Sequence, residues 1–238
     1  MDCKLYPKGI VTALVLTMQL AGFAQTFPAS EPTLTNQQWR DSLRVLNKTI
    51  ADSVWSTDLH LRKAAINLEL KQWQYAVDEY SLILQKEPHN PAAMFFRAYA
   101  QTHLRHYDQA RSDYLDLLAV VPRHFEARLS LAYVLQLQGK KTDALEQLNL
   151  VVEMHKDSAI AYASRANLEQ ELKQWDAALY DLQEATRLEP QDVGYVALQA
   201  DLLVSLQRRK DAKKVLDDAV KRGIPRGLLR QWYQKVGR

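Results

Sequence analysis

Small apolar residues recur along this chain at a fixed interval of 34 residues, for example from Ala64 to Ala98. Two series of alanines keep this interval without an insertion or a deletion. The second series is offset from the first by 12 residues, as Ala76 is from Ala64. The first series is Ala64, Ala98, Ala132, Ala166 and Ala200, and the second is Ala76, Ala110, Ala144, Ala178 and Ala212. Self-similarity at this period predicts a repeat architecture in which each unit buries its apolar face against its neighbours.

Apolar residues follow each alanine of the second series after four and seven residues, which is the spacing of one α-helical face. These pairs are Tyr80 and Ile83, Tyr114 and Leu117, Leu148 and Val151, Leu182 and Ala185, and Leu216 and Ala219. The first-series alanines also lie among apolar residues, and a polar turn separates the two series in every unit. Pro88, Pro122 and Pro190 close three units, where a proline ends one helix before the next begins. The pattern predicts two helices per unit.

With the alanines, the aromatic Tyr80 and Tyr114 and the closing prolines in place, residues 57–226 resemble five tandem tetratricopeptide repeats. The resemblance implies an all-α fold, a right-handed α-α superhelical solenoid of five hairpins. The repeats would span 57–90, 91–124, 125–158, 159–192 and 193–226. The alternative, an unrelated helical bundle, requires ten alanines to agree in register by coincidence.

The segments on either side of the repeats predict capping helices, which solenoids need for solubility. At 36–56 an apolar stripe of Trp39, Leu43, Leu46 and Ile50 has helical spacing. At 225–238, Pro225 suits the first turn of a closing helix. The apolar face of that helix would consist of Leu228, Leu229, Trp232, Tyr233 and Val236.

The amino terminus has the pattern of a secretory signal peptide at residues 1–24. Lys4 and Lys8 precede an apolar run, 10–24, that is too short and too interrupted by polar residues to span a bilayer comfortably. Residues 25–35 contain two prolines and suit an extended spacer. A short leader followed by helical repeats resembles the organisation of bacterial periplasmic proteins. We therefore expect the chain to be exported and the leader to be cleaved. An uncleaved membrane anchor is the alternative.

The single cysteine, Cys3, precedes the apolar run and would be lost with the leader. It does not stand at the end of that run, where a lipoprotein carries its lipid-bearing cysteine. A cysteine-free exported chain forms no disulfide, so its stability has to come from helix packing.

Motifs for chemistry are absent from the sequence: it contains no HExxH, no phosphate-binding glycine loop and no serine elbow. The carboxylates are expected to face solvent, with Asp108 and Asp176 as helix-capping groups instead of general acids or bases. His103 and His106 form the only close histidine pair, and a metal site there is the minor alternative to a polar helix end. We therefore expect no enzyme activity, no cofactor and no metal.

The family resemblance implies that the first helices line a concave face that holds a peptide or a partner segment. Aromatic rings would stack on such a segment, and amide side chains would hydrogen-bond its backbone. The alternative is that the aromatic residues pack between neighbouring repeats. Transferred by position, the predicted contacts are Phe95, Tyr99, Tyr133, Gln136, Asn167 and Gln170.

The net charge of +3 conceals an uneven distribution. From Gln207 to the end, eleven lysines and arginines face three aspartates, which gives +8 there and −5 for the remainder. Such an end suits an anionic partner or membrane surface, and the alternative is a solvated cap. Nucleic acid is not an expected partner of an exported protein.

Two hypotheses of function follow. The first is a non-enzymatic scaffold that binds a protein or peptide partner in the cell envelope through the concave face. The second is an accessory subunit or chaperone of an envelope enzyme or assembly complex, acting through the basic carboxyl-terminal end. The partner and the oligomeric state do not follow from the residues.

Overall fold

The repeats fold as pairs of α-helices in the computed structural model, which describes residues 34–52 and 55–237. The predicted leader 1–24 and all but the end of the predicted spacer 25–35 lie outside the described residues. The described part contains twelve α-helices and no strand. None of its helices is long and apolar enough to cross a bilayer.

The first unit of the chain extends to Lys140 and the second begins at Lys141. The helices of the first are α1 Asn36–Ala51, α2 Thr57–Glu69, α3 Trp73–Lys86, α4 Pro91–His103, α5 Tyr107–Val120 and α6 Phe125–Leu137. The helices of the second are α7 Lys141–Met154, α8 Ala159–Glu171, α9 Trp175–Leu188, α10 Val193–Ser205, α11 Arg209–Lys221 and α12 Arg230–Val236. The third repeat therefore has its two helices in different units.

Burial follows the two alanine series. All ten alanines are fully buried, and so are the apolar residues four and seven positions after each second-series alanine. A methyl side chain lets two helix backbones approach closely, whereas extra methylenes in such a packed place cost about 1–3 kcal/mol. The periodic positions are thus the interior of each unit.

The first helix of every repeat ends in the same turn, in which the fifteenth residue of the repeat adopts the left-handed conformation. These residues are Lys71, Arg105, Gly139, Lys173 and Gln207, with φ between 56° and 75°. In the first repeat, the amide of Lys71 donates to the carbonyl of Leu68, and that of Gln72 donates to Asn67. This is the Schellman pattern, which satisfies the last carbonyls of a helix. Only Gly139 adopts the conformation without steric cost.

The terminal helices differ in how far they are buried. In α1 the stripe residues Trp39, Leu43, Leu46 and Ile50 are half-buried, and α1 packs on α2. At the other end a 3₁₀ turn, Arg226–Leu229, precedes α12, so the closing helix predicted from Pro225 begins later than expected. Leu229 and Trp232 are buried there, but Leu228 is exposed.

Candidate interaction surfaces

Five of the six residues predicted to contact a peptide are partly exposed. Tyr99 lies on α4, Tyr133 and Gln136 lie on α6, and Asn167 and Gln170 lie on α8. The first three belong to the first unit and the last two to the second. Their exposure is compatible with contact to a ligand, and peptide binding by these residues stays a prediction.

Phe95 is the exception and corrects the predicted set. Its side chain is only 4% exposed. Its ring packs edge-on to Phe96 and Tyr114, at centroid distances of 5.2 and 5.7 Å, and stacks on His124 at 5.4 Å. For Phe95 the packing alternative is therefore the right one, because a ring enclosed on these sides does not reach a ligand.

Tyr99 belongs to an aromatic cluster at the end of α4, where it meets the start of α3. The rings of Trp73 and His103 are stacked at 4.0 Å with an interplanar angle of 5°, and Tyr99 meets both edge-on. Desolvation, together with the nearby charge of Lys71, lowers the pKa of His103. The stacking of its neutral ring on the indole of Trp73 gives His103 a structural role in this cluster. Among the described residues no group of three or more metal-ligating side chains comes together.

Several carboxylates are buried, contrary to the expectation that all of them face solvent. Asp113 and Asp181, on the second helices of repeats two and four, accept two hydrogen bonds each from an arginine on the first helix of the same repeat. Arg97 binds Asp113 at 2.7 and 2.6 Å, and Arg165 binds Asp181 at 2.7 and 2.8 Å. Burying a carboxylate is tolerated only with such a partner.

The same guanidinium groups also reach the second helix of the preceding repeat. Arg97 donates to the Ser81 hydroxyl at 3.3 Å, and Arg165 donates to the Asn149 side-chain oxygen at 3.1 Å. Each arginine therefore bridges two successive second helices. We call this three-residue arrangement the arginine bridge. Its signal was present in the sequence, since the arginine and the aspartate of the second repeat both recur at the same positions of the fourth.

The first repeat carries a related ion pair. Glu79, which is equivalent to Asp113, accepts from Lys63 at 2.8 Å and contacts the ring nitrogen of His60. His60 in turn stacks on Trp55 at 4.0 Å. Repeats three and five lack the pair: they have Leu131 with Gln147, and Gln199 with Val215, at these positions.

Glu169 on α8 is a second buried carboxyl group near the bridge of the fourth repeat. It lies 3.7 Å from Arg165, and its Oε2 atom has no hydrogen-bond partner among the described residues. Burial, followed by the charge of Asp181, raises the pKa of Glu169 to about 7, although Arg165 opposes the shift. Folding thus holds a proton on this group in weakly acidic solution.

Asp108 and Asp176 lie one residue inside their helices and are not the capping residues. The caps are His106 and Gln174, neither of which forms a side-chain cap bond. Asp108 instead accepts from the Gln138 amide at 2.9 Å. Because both carboxylates lie in the first turn of their helices, their negative charge interacts favourably with the helix dipole.

A cleft of about 420 Å³ opens between α9, α10 and α11 in the second unit. Its lining mixes apolar side chains, amides and both signs of charge, and the sequence patterns did not indicate it. The lining includes Asp176, Tyr180, Gln183, Gln199, Val215 and Asp218. Gln183, Gln199 and Val215 are the fifth-repeat equivalents of the arginine bridge, each one repeat after Asn149, Arg165 and Asp181 respectively.

The basic end presents cations on α11, on α12 and on the segment between them. Ion pairs within this end join Arg208 to Asp211 and Lys221 to Asp218, and Lys235 pairs with Asp201 of α10. The other described cations from 209 to 230 are exposed and form no ion pair with a described residue; they are Arg209, Lys210, Lys213, Lys214, Arg222, Arg226 and Arg230.

Comparison with known proteins supports the repeat assignment. A family model described as a tetratricopeptide repeat matches residues 97–159. The matched residues are tetratricopeptide repeats, and the repeat fold is shared with a solved tetratricopeptide repeat protein from Parabacteroides merdae, which is 16% identical, covers 85% of this chain and 79% of that one, and has a TM-score of 0.60. A solved structure of MamA from Desulfovibrio magneticus RS-1 is 20% identical, covers 69% of this chain and 93% of that one, and has a TM-score of 0.61. At this identity the likeness shows the fold alone.

A second solved structure, of YrrB, is described as a TPR protein with an unusual peptide-binding site. It is 16% identical, covers 81% of this chain and 99% of that chain, and has a TM-score of 0.58. Among curated proteins, human FK506-binding protein-like is 35% identical over 88 residues, which is 37% of this chain and 25% of the relative. The chain spans only about a fifth to a quarter of the curated relatives it matches.

Proposed function

We propose that this protein is a non-enzymatic scaffold that binds a protein or peptide partner in the cell envelope. The observation that carries the proposal is that each unit has partly exposed aromatic or amide side chains on first helices of tetratricopeptide repeats, with Tyr99, Tyr133 and Gln136 in the first unit and Asn167 and Gln170 in the second. Stacking surfaces next to amide donors and acceptors suit an extended chain. The description of YrrB as a protein with a peptide-binding site supports the same class of ligand.

The envelope location is part of the proposal and rests on the sequence of residues 1–24. Mass spectrometry of the mature amino terminus tests it. We expect the mature chain to begin at Gln25 and to be recovered from the periplasm. Retention of Met1 in a membrane-bound protein would favour the uncleaved anchor.

Site-specific photocrosslinking tests the binding surface. A photoreactive amino acid at position 133, in place of Tyr133, should capture a defined partner in intact cells. The matched control places the same group at position 75, because Tyr75 is exposed on a second helix and lies outside the predicted surface. Capture from both positions, or from position 75 alone, would remove the first-helix surface from the proposal.

The second candidate function is an accessory subunit or chaperone acting through the basic end. It is favoured by the exposed cations of α11 that form no ion pair within the described part of the chain. Reversal of Arg209 and Lys210 to glutamate should abolish partner capture in this case and leave it unchanged in the first. Binding to anionic vesicles at low salt tests the related membrane contact, since exposed charges act within about 10 Å at 0.1 M salt. If the wild-type chain does not bind such vesicles, the membrane contact is excluded.

A further inference from the structure

The cleft of the second unit lies where the fifth repeat lacks its arginine bridge. In the fourth repeat, Arg165 lies between α7 and α9, held by Asn149 on one side and by Asp181 on the other. In the fifth repeat the equivalents are Gln199, Gln183 and Val215, and all three line the cleft. The space that a guanidinium fills in one repeat is therefore open in the next.

Gln199 makes this opening a polar one. The residue is 6% exposed, and its side-chain amide forms no hydrogen bond with another described residue. The polar atoms of this amide remain accessible at the cleft, so a ligand that bonds to them replaces water there. Gln183 on α9 faces the same cleft and likewise has no side-chain partner in the described part of the chain.

One unpaired carboxylate and an aromatic ring at the cleft favour a cation. The lining has three carboxylates, Asp176, Asp211 and Asp218, and two cations, Arg208 and Lys214, and Asp218 pairs with Lys221 at 2.9 Å. Arg208 is already paired with Asp211 at 2.8 Å, whereas Asp176 is exposed and forms no ion pair with a described residue.

The ring of Tyr180 is 58% exposed beside Asp176, and the cleft also contains the apolar side chains of Leu179 and Val215. A guanidinium stacks on an aromatic face, whereas its aliphatic stem packs on apolar surface.

We propose that this cleft binds an arginine side chain of the partner protein, which takes the place that Arg97 and Arg165 occupy in their own repeats. The guanidinium bonds to Gln199 and Gln183 and pairs with Asp176, and the stem lies on Leu179 and Val215. Only the source of the arginine rests on the proposed scaffold function. The affinity of the cleft for the side chain is independent of it.

Titration of the full chain with Nα-acetylarginine amide, followed by NMR of the glutamine side-chain amides, tests the proposal. We expect saturable shifts of the Gln199 and Gln183 signals. Nα-acetylcitrulline amide has nearly the same shape without the charge and should produce no saturable shift. Equal shifts from both probes, or none from arginine, would overturn the arginine site and leave the scaffold function untouched.

Two variants locate the site. Gln199→Arg with Val215→Asp rebuilds the arginine bridge and fills the cleft from within, so binding of the probe should be lost. Asp176→Asn is an exposed change that does not threaten folding, and it should weaken binding by about tenfold, the equivalent of roughly 1.4 kcal/mol. Its matched control is Asp108→Asn at the same position of the second repeat, which should bind like the wild type. Unchanged binding in Asp176→Asn would contradict the proposal even if the double variant fails to fold.

Discussion

The fourth and fifth repeats lie in the same unit and share their backbone plan, yet they differ at the contact between second helices. In the fourth, Arg165 joins α7 to α9 through Asn149 and Asp181. In the fifth, Gln199 and Val215 leave a cleft between α9 and α11. Both repeats keep the fully buried alanines, so the comparison shows that the helix pair forms without the arginine bridge.

The comparison also separates architecture from surface chemistry. A buried ion pair seldom adds much net stability, although removal of one partner is costly. In the fourth repeat, loss of either Arg165 or Asp181 alone is therefore expected to destabilise the fold. The fifth repeat has neither member of the pair. The fifth repeat accordingly keeps an opening that a partner's side chain fills.

The largest expected effect comes from breaking the bridge of the fourth repeat. Asp181→Ala should lower the free energy of unfolding by about 3 kcal/mol, because Arg165 is left without its partner. Urea denaturation measures the loss. The control is Val215→Ala at the equivalent place, which should cost about 1 kcal/mol from lost methyl groups. Equal losses would show that Asp181 contributes no more than its volume.

A pH titration sharpens the contrast, since the fifth repeat has Leu203 where the fourth has Glu169. Folding raises the pKa of Glu169 from 4.5 to about 7, so the folded state binds this proton more tightly than the unfolded state. Stability from this group is therefore present below pH 4.5 and is lost as the pH rises through about 7.

Glu169→Gln should remove that loss. We expect the variant to exceed the wild type by about 1–2 kcal/mol at pH 8 after allowance for solvent screening, and by much less at pH 5. Denaturation at both pH values measures the difference. A gap that does not widen with pH would contradict the assignment.

Transplanting the bridge tests whether the fifth repeat is able to accept it. Gln199→Arg and Val215→Asp together should be more stable than the sum of the single changes predicts, with a coupling of about 1 kcal/mol. A double-mutant cycle by denaturation measures this coupling. Val215→Asp alone should destabilise, since it buries a charge without a partner. Additive effects would mean that the two side chains do not meet.

The smallest expected effect concerns a feature that both repeats share. Lys173 and Gln207 have φ of 60° and 61°, in the left-handed region. Lys173→Gly and Gln207→Gly should each stabilise by about 0.5–1 kcal/mol, because glycine adopts this conformation without steric cost. Thermal denaturation measures both. Gly139→Ala is the reverse control and should lower the stability of the fold. Unequal gains in stability from Lys173→Gly and Gln207→Gly would show that the two turns differ.

Much of the fold was predictable from the sequence because packing imposes a period. The two alanine series and the apolar residues that follow the second series are buried as a helix-pair interior requires. The repeat family and the all-α fold are confirmed. The 3₁₀ turn before α12 was not predicted, since the apolar spacing of 225–238 suits either kind of helix.

The interaction surfaces were less predictable because exposure depends on neighbours. Phe95 has the sequence position of a surface contact, but Tyr114 and His124 enclose its ring. The arginine bridges were readable, since Arg97 and Arg165 stand two repeats apart. The cleft was not, because it arises from what Gln199 and Val215 do not fill.

The burial of Trp232 in the last helix has a consequence for the fluorescence of the protein. Trp232 is buried, and its indole N–H donates to Asp201 at 3.0 Å, whereas Trp175, the other tryptophan of the second unit, is 37% exposed. Replacing Trp39, Trp55, Trp73 and Trp175 by phenylalanine would leave Trp232 as the single indole of the chain and its intrinsic fluorophore. A red shift of its emission would then report, without any attached dye, the detachment of the carboxyl-terminal helix from the fifth repeat.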